Sequence, residues 1–442
     1  MFKRVDPTKE PLLRSIVFLS IPMMLEMAAQ NLFNLVDTYF VSRISYLAIG
    51  ALVSSSIIMM VLYSISIGIS TACGIFVSYF WGAKKFSRAY FFYSNTFSFI
   101  VALSIILIAI FYAFLSRIIS LVGLEGMVYS YAYQYLSIAV LGLGFNFLFS
   151  LNNSSLRSIS MPSLALTVMV LANSLNAALD PLFIFYLKMG IKGAALSTVV
   201  SIFIGLIFQY YLLFSKGFYI AFRIRLRVIK KIIKKGVYAS LHLFFRIISM
   251  LVLIKIIGSI SQIAISGYSV VIRVYQVLLF LVFGLANASF VVVGQNFGAK
   301  NIERIKKAPW YAITFALVFV GILNVVLYLN GDFLLSLFVK DSTVFAICKD
   351  VLFFYFISYP FVIASTIASR SSMALHDTKR PSMVNLFNLW FFLIPLAYVL
   401  SRFYSVHGIW MAIAISNFTA FVANTILLKL NIKRAIYEIS KS

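Results

Sequence analysis

Twelve apolar runs, each long enough to cross a bilayer, govern what this 442-residue chain can become. A hydrocarbon core takes about 20 residues of helix to span. The runs are 14–41, 46–81, 90–115, 128–156, 163–187, 193–214, 236–257, 264–297, 309–330, 344–375, 382–401 and 408–429. Inside lipid the backbone has no water to bond, so such runs must close their hydrogen bonds internally as helices. The runs 46–81, 264–297 and 344–375 exceed a hydrocarbon thickness and are expected to tilt or project into water. The first run is no cleaved leader, because it is too long, lacks a small-residue cleavage site and carries a polar stripe. With 62% hydrophobic residues, too little polar surface remains to cover a soluble domain.

The net charge of +25 is explained by topology. With a cytoplasmic N-terminus, 26 of the 37 Lys and Arg fall on the cytoplasmic side, 7 on the other and 4 within runs. That bias predicts a multi-pass protein of the cell membrane with both termini in the cytoplasm. No nucleic-acid partner is called for. Cys73 and Cys348 lie in or beside apolar runs, and His242, His376 and His407 are scattered. Neither a disulfide framework nor a structural metal is expected.

The most basic piece, within 216–235, reads as a cytoplasmic linker, with an amphipathic helix on anionic lipid among its readings. On either side the chain repeats. At a spacing of 216, Ser45 answers Ser261, Ala48 answers Ala264, and Gly68 answers Gly284. Gly82-Ala83-Lys84 then answers Gly298-Ala299-Lys300, and Arg88 answers Arg304. Six spans in each half give a parallel repeat, with a pseudo-two-fold axis along the membrane normal. The expected domains are an N-terminal lobe 1–215, the linker 216–235 and a C-terminal lobe 236–442. The fold class is an all-α membrane protein of twelve transmembrane helices in two six-helix lobes.

Only Glu26, Asp37 and Asp180 place a carboxylate well inside an apolar run. Each costs at least about 2.5 kcal/mol at membrane depth, so a use is expected. Glu26, Gln30, Asn34 and Asp37 form one polar stripe on a helix, just past Pro22, a candidate hinge. Asn173, Asn176 and Asp180 share another face, and Pro181 removes a backbone donor beside it. Asn146, Ser150, Asn153 and Arg157 make a third stripe; Ser197, Thr198 and Ser201 add hydroxyls after the small residues Gly193-Ala194-Ala195. Two acids with amides and hydroxyls can hold a proton or a hard cation such as Na⁺. A patch that merely glues helices is the other reading. The second half has Leu253 and Val399 at the repeat positions of Asp37 and Asp180, and carries Arg246, Lys255 and Arg273 instead. Arg246 and Lys255 either snorkel to an interface or serve a cavity.

The stretches NLFNLVDTYFVSRIS (31–45), LNAALDPLFIFYLKMGIKGAALST (175–198), GQNFGAKNIERIKKA (294–308) and ALHDTKRPS (374–382) resemble the multidrug and toxic compound extrusion (MATE) family. The resemblance covers nearly the whole chain and is nearest the DinF-like and archaeal branch. It implies a V-shaped pair of lobes around a central cavity, and cation-coupled export of organic, often cationic, compounds. Asp37, Asn176, Asp180 and Thr198 match that branch's N-lobe cation site, and Pro22 its bending proline. Gln30, Tyr135 and Asn153 match polar residues of that lobe's cavity and hydrogen-bond network, to which the stripes add Asn34 and Asn173. The loop RSISMPS (157–163) departs from the family's usual Gly-Asp-Thr pattern, and His242 stands near where other branches carry a glutamate.

The function expected is an antiporter driven by H⁺ or Na⁺, working as a monomer in the lipid bilayer by alternating access. No cofactor is expected, and no metal beyond a possible Na⁺ at Asp37, Asn176, Asp180 and Thr198. The alternative is a flippase of lipid-linked oligosaccharide, which the embedded cations Arg246, Lys255 and Arg273 suggest. An intramembrane aspartyl enzyme would need two acids sharing a proton at close range. Neither NLVDT nor ALDPL resembles a protease signature, so no enzyme is expected.

Overall fold

The computed structural model describes residues 5–219 and 221–441. The ends of the expected lobes at 1–4 and 442, and Ile220 of the linker, lie outside the described residues. Among these residues the chain is helical, without strands. The helices are α1 (Leu12–Ser42), α2 (Tyr46–Gly82), α3 (Phe86–Leu121), α4 (Gly126–Leu141), α5 (Leu143–Ser158), α6 (Pro162–Pro181) and α7 (Ile191–Phe214). After them come α8 (Leu226–Ile260), α9 (Gln262–Gly298), α10 (Ile302–Leu329), α11 (Gly331–Ser336), α12 (Ser342–Ala374), α13 (Lys379–Phe387) and α14 (Ile394–Ser440).

Ten helical stretches among the described residues are long and apolar enough to cross a membrane, or eleven with α4 and α5, bent by 53°, taken as one. The last stretch, Lys379–Ser440, has 62 residues. At about 1.5 Å per residue it is three times a hydrocarbon core. It holds two of the twelve predicted runs, 382–401 and 408–429, with a non-helical residue, Ser405 (φ 52°, ψ −138°), between them. Large apolar side chains such as Leu35, Ile105 and Phe391 are exposed. That belt suits lipid and would be a liability in water.

The repeat is written into the backbone. Ser45 and Ser261 are both N-caps, accepting from the amides of Ala48 and Ala264 at 3.1 and 3.2 Å. The non-glycine residues in the left-handed region also come in pairs. Lys84 (φ 55°) answers Lys300 (57°), Ser160 (62°) answers His376 (67°), and Lys188 (53°) answers Ser405 (52°). Such φ values strain any residue with a Cβ. Their recurrence across side chains as unlike as Ser and His shows that the turn is kept where the residue is not.

By contact the chain sorts into two units. One contains residues 25–240, the other residues 5–24 and 241–441. The start of α1 therefore packs with the second unit, and the start of α8 with the first. Two repeat-related glycines mark these packings. A Cβ on Gly68 would fall on Ser240 Oγ and 2.5 Å from the Gly236 carbonyl oxygen of α8. A Cβ on Gly284 would fall 2.7 Å from the backbone nitrogen of Met24 on α1. Gly68→Val or Gly284→Val is accordingly expected to overpack a helix crossing, by about 1–3 kcal/mol. A fall of about 5 °C in melting temperature in detergent is expected; an unchanged melt for both would contradict the close crossing.

The first unit has a core running through α2–α5 and α7, with Phe147, Tyr93 and Leu136 fully buried. In the second, α9, α10, α12 and α14 pack together, and Trp410 stacks on Tyr268 at 5.4 Å. The first part of the expected linker is a non-helical strap bonded along α3. Ser94 Oγ and Ser98 Oγ donate to the carbonyls of Tyr219 and Ala221, while the amides of Arg223 and Arg225 donate to Ser98 Oγ and Asn95 Oδ1. From Leu226 onward the linker is the first turns of α8.

Candidate functional site

The polar cluster of the first unit is built by α1, α6 and α7. Asp180 is the last residue but one of α6, where Pro181 cannot donate to the carbonyl one turn back and the chain widens into a π-helical turn, Leu182–Tyr186. α7 comes close to that turn because its Gly193 has no side chain; a Cβ there would lie 2.7 Å from the Phe183 carbonyl carbon. The approach sets Ser197 and Thr198 between two carboxylates. Ser197 Oγ donates to Asp180 Oδ1, and Thr198 Oγ1 donates to Asp37 Oδ2 at 3.3 Å. Asn176 Nδ2 reaches Asp180 Oδ1 at 3.4 Å and Ser197 Oγ at 3.3 Å.

Asp37 and Asp180 stand side by side, with Asn176 and Thr198 bonded to them. Both acids and Asn176 are buried. Asp37 Oδ1, Asp180 Oδ2 and Asn176 Oδ1 are buried oxygens that receive no hydrogen bond. Acceptor facing acceptor in a dry setting is costly unless a proton or a cation stands between them. Oxygen donors of this kind suit a hard cation or a shared proton. Among the described residues no group of three or more His, Cys, Asp and Glu could hold a metal ion.

The other candidate residues distribute as follows. Tyr135 on α4 is buried within electrostatic reach of Asp37 and Asp180, and Tyr63 on α2 stands near it and Asp37. Asn153 accepts from Gln209 Nε2 at 2.7 Å, deep in the unit. Asn173 Nδ2 donates to the Ala29 carbonyl at 2.7 Å, tying α6 to α1. Gln30 and Asn34 are exposed on α1 and stand outside the carboxylate cluster. Pro22 lies within α1, three residues before the chain passes into the first unit.

Ser197, Gln209 and Tyr63 join these residues through the tertiary structure; of the three, the sequence pattern marks only Ser197, as one of the hydroxyls of its helix. Glu26, which matches no motif of the resemblance, is buried and accepts from Arg157 Nη1 at 2.6 Å. Both ends of that ion pair lay in the polar stripes, but a stripe tells which face a residue occupies and not which partner it meets.

The sequence model of the MatE family matches residues 22–182 and again 239–399, once in each half of the chain. The FAD transporter of Shewanella oneidensis is 26% identical over 430 residues, 93% of each chain. The probable multidrug resistance protein YoeA of Bacillus subtilis is 24% identical over 419 residues, 91% of this chain and 90% of that one. A solved outward-facing conformation of a multidrug resistance MATE family transporter of the MOP superfamily superposes with a TM-score of 0.90 at 21% identity, covering 98% and 99% of the two chains. The double match spans well over half of the sequence, and the fold agrees: the chain belongs to the MatE (multidrug and toxic compound extrusion) family of multi-pass membrane transporters and is not an enzyme.

Proposed function

We propose that this transporter exports small organic compounds, cations among them, in exchange for H⁺ or Na⁺ by alternating access. Asp37, Asn176, Asp180 and Thr198 hold the coupling ion. The observation that carries this reading is the trio of buried oxygens without donors, on Asp37, Asp180 and Asn176. Relatives named for drug resistance and for FAD support a small organic cargo.

In this reading Pro22 is the hinge. α1 carries Asp37 in the first unit and begins in the second. Taking up or losing an ion changes the charge beside Asp37 by one unit. Such a change biases a helix between two bends when only one bend satisfies the carboxylate. Tyr135, Asn153 and Asn173 hold α4, α5 and α6 around the site, while Gln30 and Asn34 face the cargo path. The repeats 1–215 and 236–442 act as the two lobes, joined by the basic linker 216–235, in a monomer of the cell membrane with cytoplasmic termini.

The test is transport in proteoliposomes of a fluorescent lipophilic cation, under a pH gradient alone and then under a Na⁺ gradient alone. Flux driven by one gradient and lost in Asp37→Asn is the expected result and names the ion. Gradient-independent flux, equal in wild type and Asp37→Asn, would overturn the coupling.

A further inference from the structure

The second unit holds a cluster of opposite character to the carboxylate site. On α8, His242 and Arg246 are one turn apart on the same face. The Arg246 guanidinium lies 5.8 Å from the centre of the Phe283 ring on α9. It stands within electrostatic reach of the hydroxyls of Tyr268 on α9 and of Tyr355 and Tyr359 on α12. These neighbours come from two helices, so the side chain points among the helices of its own unit rather than snorkelling out to lipid. Arg246 nevertheless keeps accessible surface. His242 in turn is within reach of Arg246 and Arg370.

No carboxylate answers this charge. The second half of the chain has six acidic residues, all engaged elsewhere. Glu303 pairs with Lys307, Asp332 with Lys349, Asp350 with His407, Asp377 with Arg380 and Glu438 with Arg434. Asp341 caps α12 through the amides of Thr343 and Val344. Within a membrane span a guanidinium with only neutral hydroxyls and rings beside it is expensive. An anion lowers that cost, and Arg presents the planar fork that grips an oxyanion in two places.

The walls add a second requirement. The Tyr275 ring lies 5.1 Å from Tyr355 and 5.0 Å from Tyr359, and is fixed by its hydroxyl on Asn324 Oδ1 at 3.0 Å. Tyr359 has a buried hydroxyl without a partner. Tyr268, Tyr275 and Tyr359 are themselves buried and back the wall, whereas Tyr355 and Phe283 are half-buried and keep ring surface for a flat ligand.

We propose that the second unit binds organic anions with an aromatic body: Arg246 takes the carboxylate, sulfonate or phosphate, and the half-buried rings of Phe283 and Tyr355 take the ring system. The proposal deepens the export reading by naming a cargo class, and it rests on that reading only for the fate of the bound molecule. The two units then divide their work, the first taking the coupling cation and the second the charged group of the cargo.

The experiment is equilibrium binding to the full chain in detergent, without any ion gradient, read by fluorescence anisotropy. The probes are 4-methylumbelliferyl phosphate, its uncharged parent 4-methylumbelliferone, and the flat cation ethidium. The phosphate is expected to bind wild type at least about tenfold more tightly than either other dye, as a charge-assisted bidentate contact allows. Arg246→Gln is expected to erase that preference, Arg246→Lys to keep part of it, and Asp332→Asn, at an exposed surface pair, to leave it intact. Equal binding of the three dyes by wild type would overturn the proposal without any variant having to fold. So would an unchanged preference in a folded Arg246→Gln protein. Because no gradient is used, a failure of coupled export leaves this result standing, and a failure here leaves the coupling site standing.

Discussion

Asp180→Asn is expected to cut gradient-driven export by at least about tenfold while leaving the fold intact. The asparagine oxygen can still accept from Ser197 Oγ and Asn176 Nδ2, the two donors that hold Asp180 Oδ1. What the substitution removes is the negative charge and the second carboxylate oxygen, Oδ2, which is buried without a donor. A coupling free energy of about 1–3 kcal/mol between ion and cargo corresponds to about 5–150-fold, so its loss is readily measured in vesicles. Asp332→Asn, at an exposed pair with Lys349, serves as the control and is expected to transport like wild type. Full export by Asp180→Asn under an imposed gradient would remove the carboxylate site from the mechanism.

A second large effect is expected at Glu26 and Arg157. The Glu26 side chain is 4% exposed and that of Arg157 19%, with 2.6 Å between Oε1 and Nη1. Removing one partner of such a pair strands a charge in a dry place, at a cost of about 3–5 kcal/mol. Glu26→Gln or Arg157→Met alone is therefore expected to lower the melting temperature in detergent by about 10 °C. The double variant is expected to recover most of that loss, since two neutral side chains leave no unpaired charge. If the double melted as low as the sum of the singles, the pair would not be the source of the effect. The position matters for transport as well. Glu26 lies one turn beyond Pro22 on α1, so its tie to α5 anchors the helix just after the residue proposed as its hinge.

Much of this was legible from residues in order. Several of the positions that match across the halves have a local backbone duty. Ser45 and Ser261 cap helices, and Lys84 and Lys300 take left-handed turns. Such duties depend on a few neighbouring residues, so they survive in the sequence as a register. Ser160 and His376, or Lys188 and Ser405, share a backbone conformation without sharing a side chain. Those pairs were invisible until the dihedrals were seen. The stripes on α1 and α6 likewise announced Asp37 and Asp180. The division of labour on α7 did not show, because successive residues on a helix point about 100° apart. Ser197 therefore serves Asp180, while Thr198, the next residue, serves Asp37.

By itself the sequence determined that the chain crosses a membrane many times, that its two halves share one plan, and that the embedded acids belong to the first half and the embedded cations to the second. Hydropathy, capping and helical spacing are short-range properties, and a chain carries them whatever its final packing. The tertiary structure alone decided the partners: Arg157 for Glu26 across 131 positions, Thr198 for Asp37 across 161, and the tyrosines of α9 and α12 for Arg246 on α8. It also decided that the first turns of α1 and α8 pack in opposite units, through Gly284 and Gly68. Which side chains meet depends on how helices rotate and approach one another, and that is set by the fit of whole surfaces rather than by any local pattern.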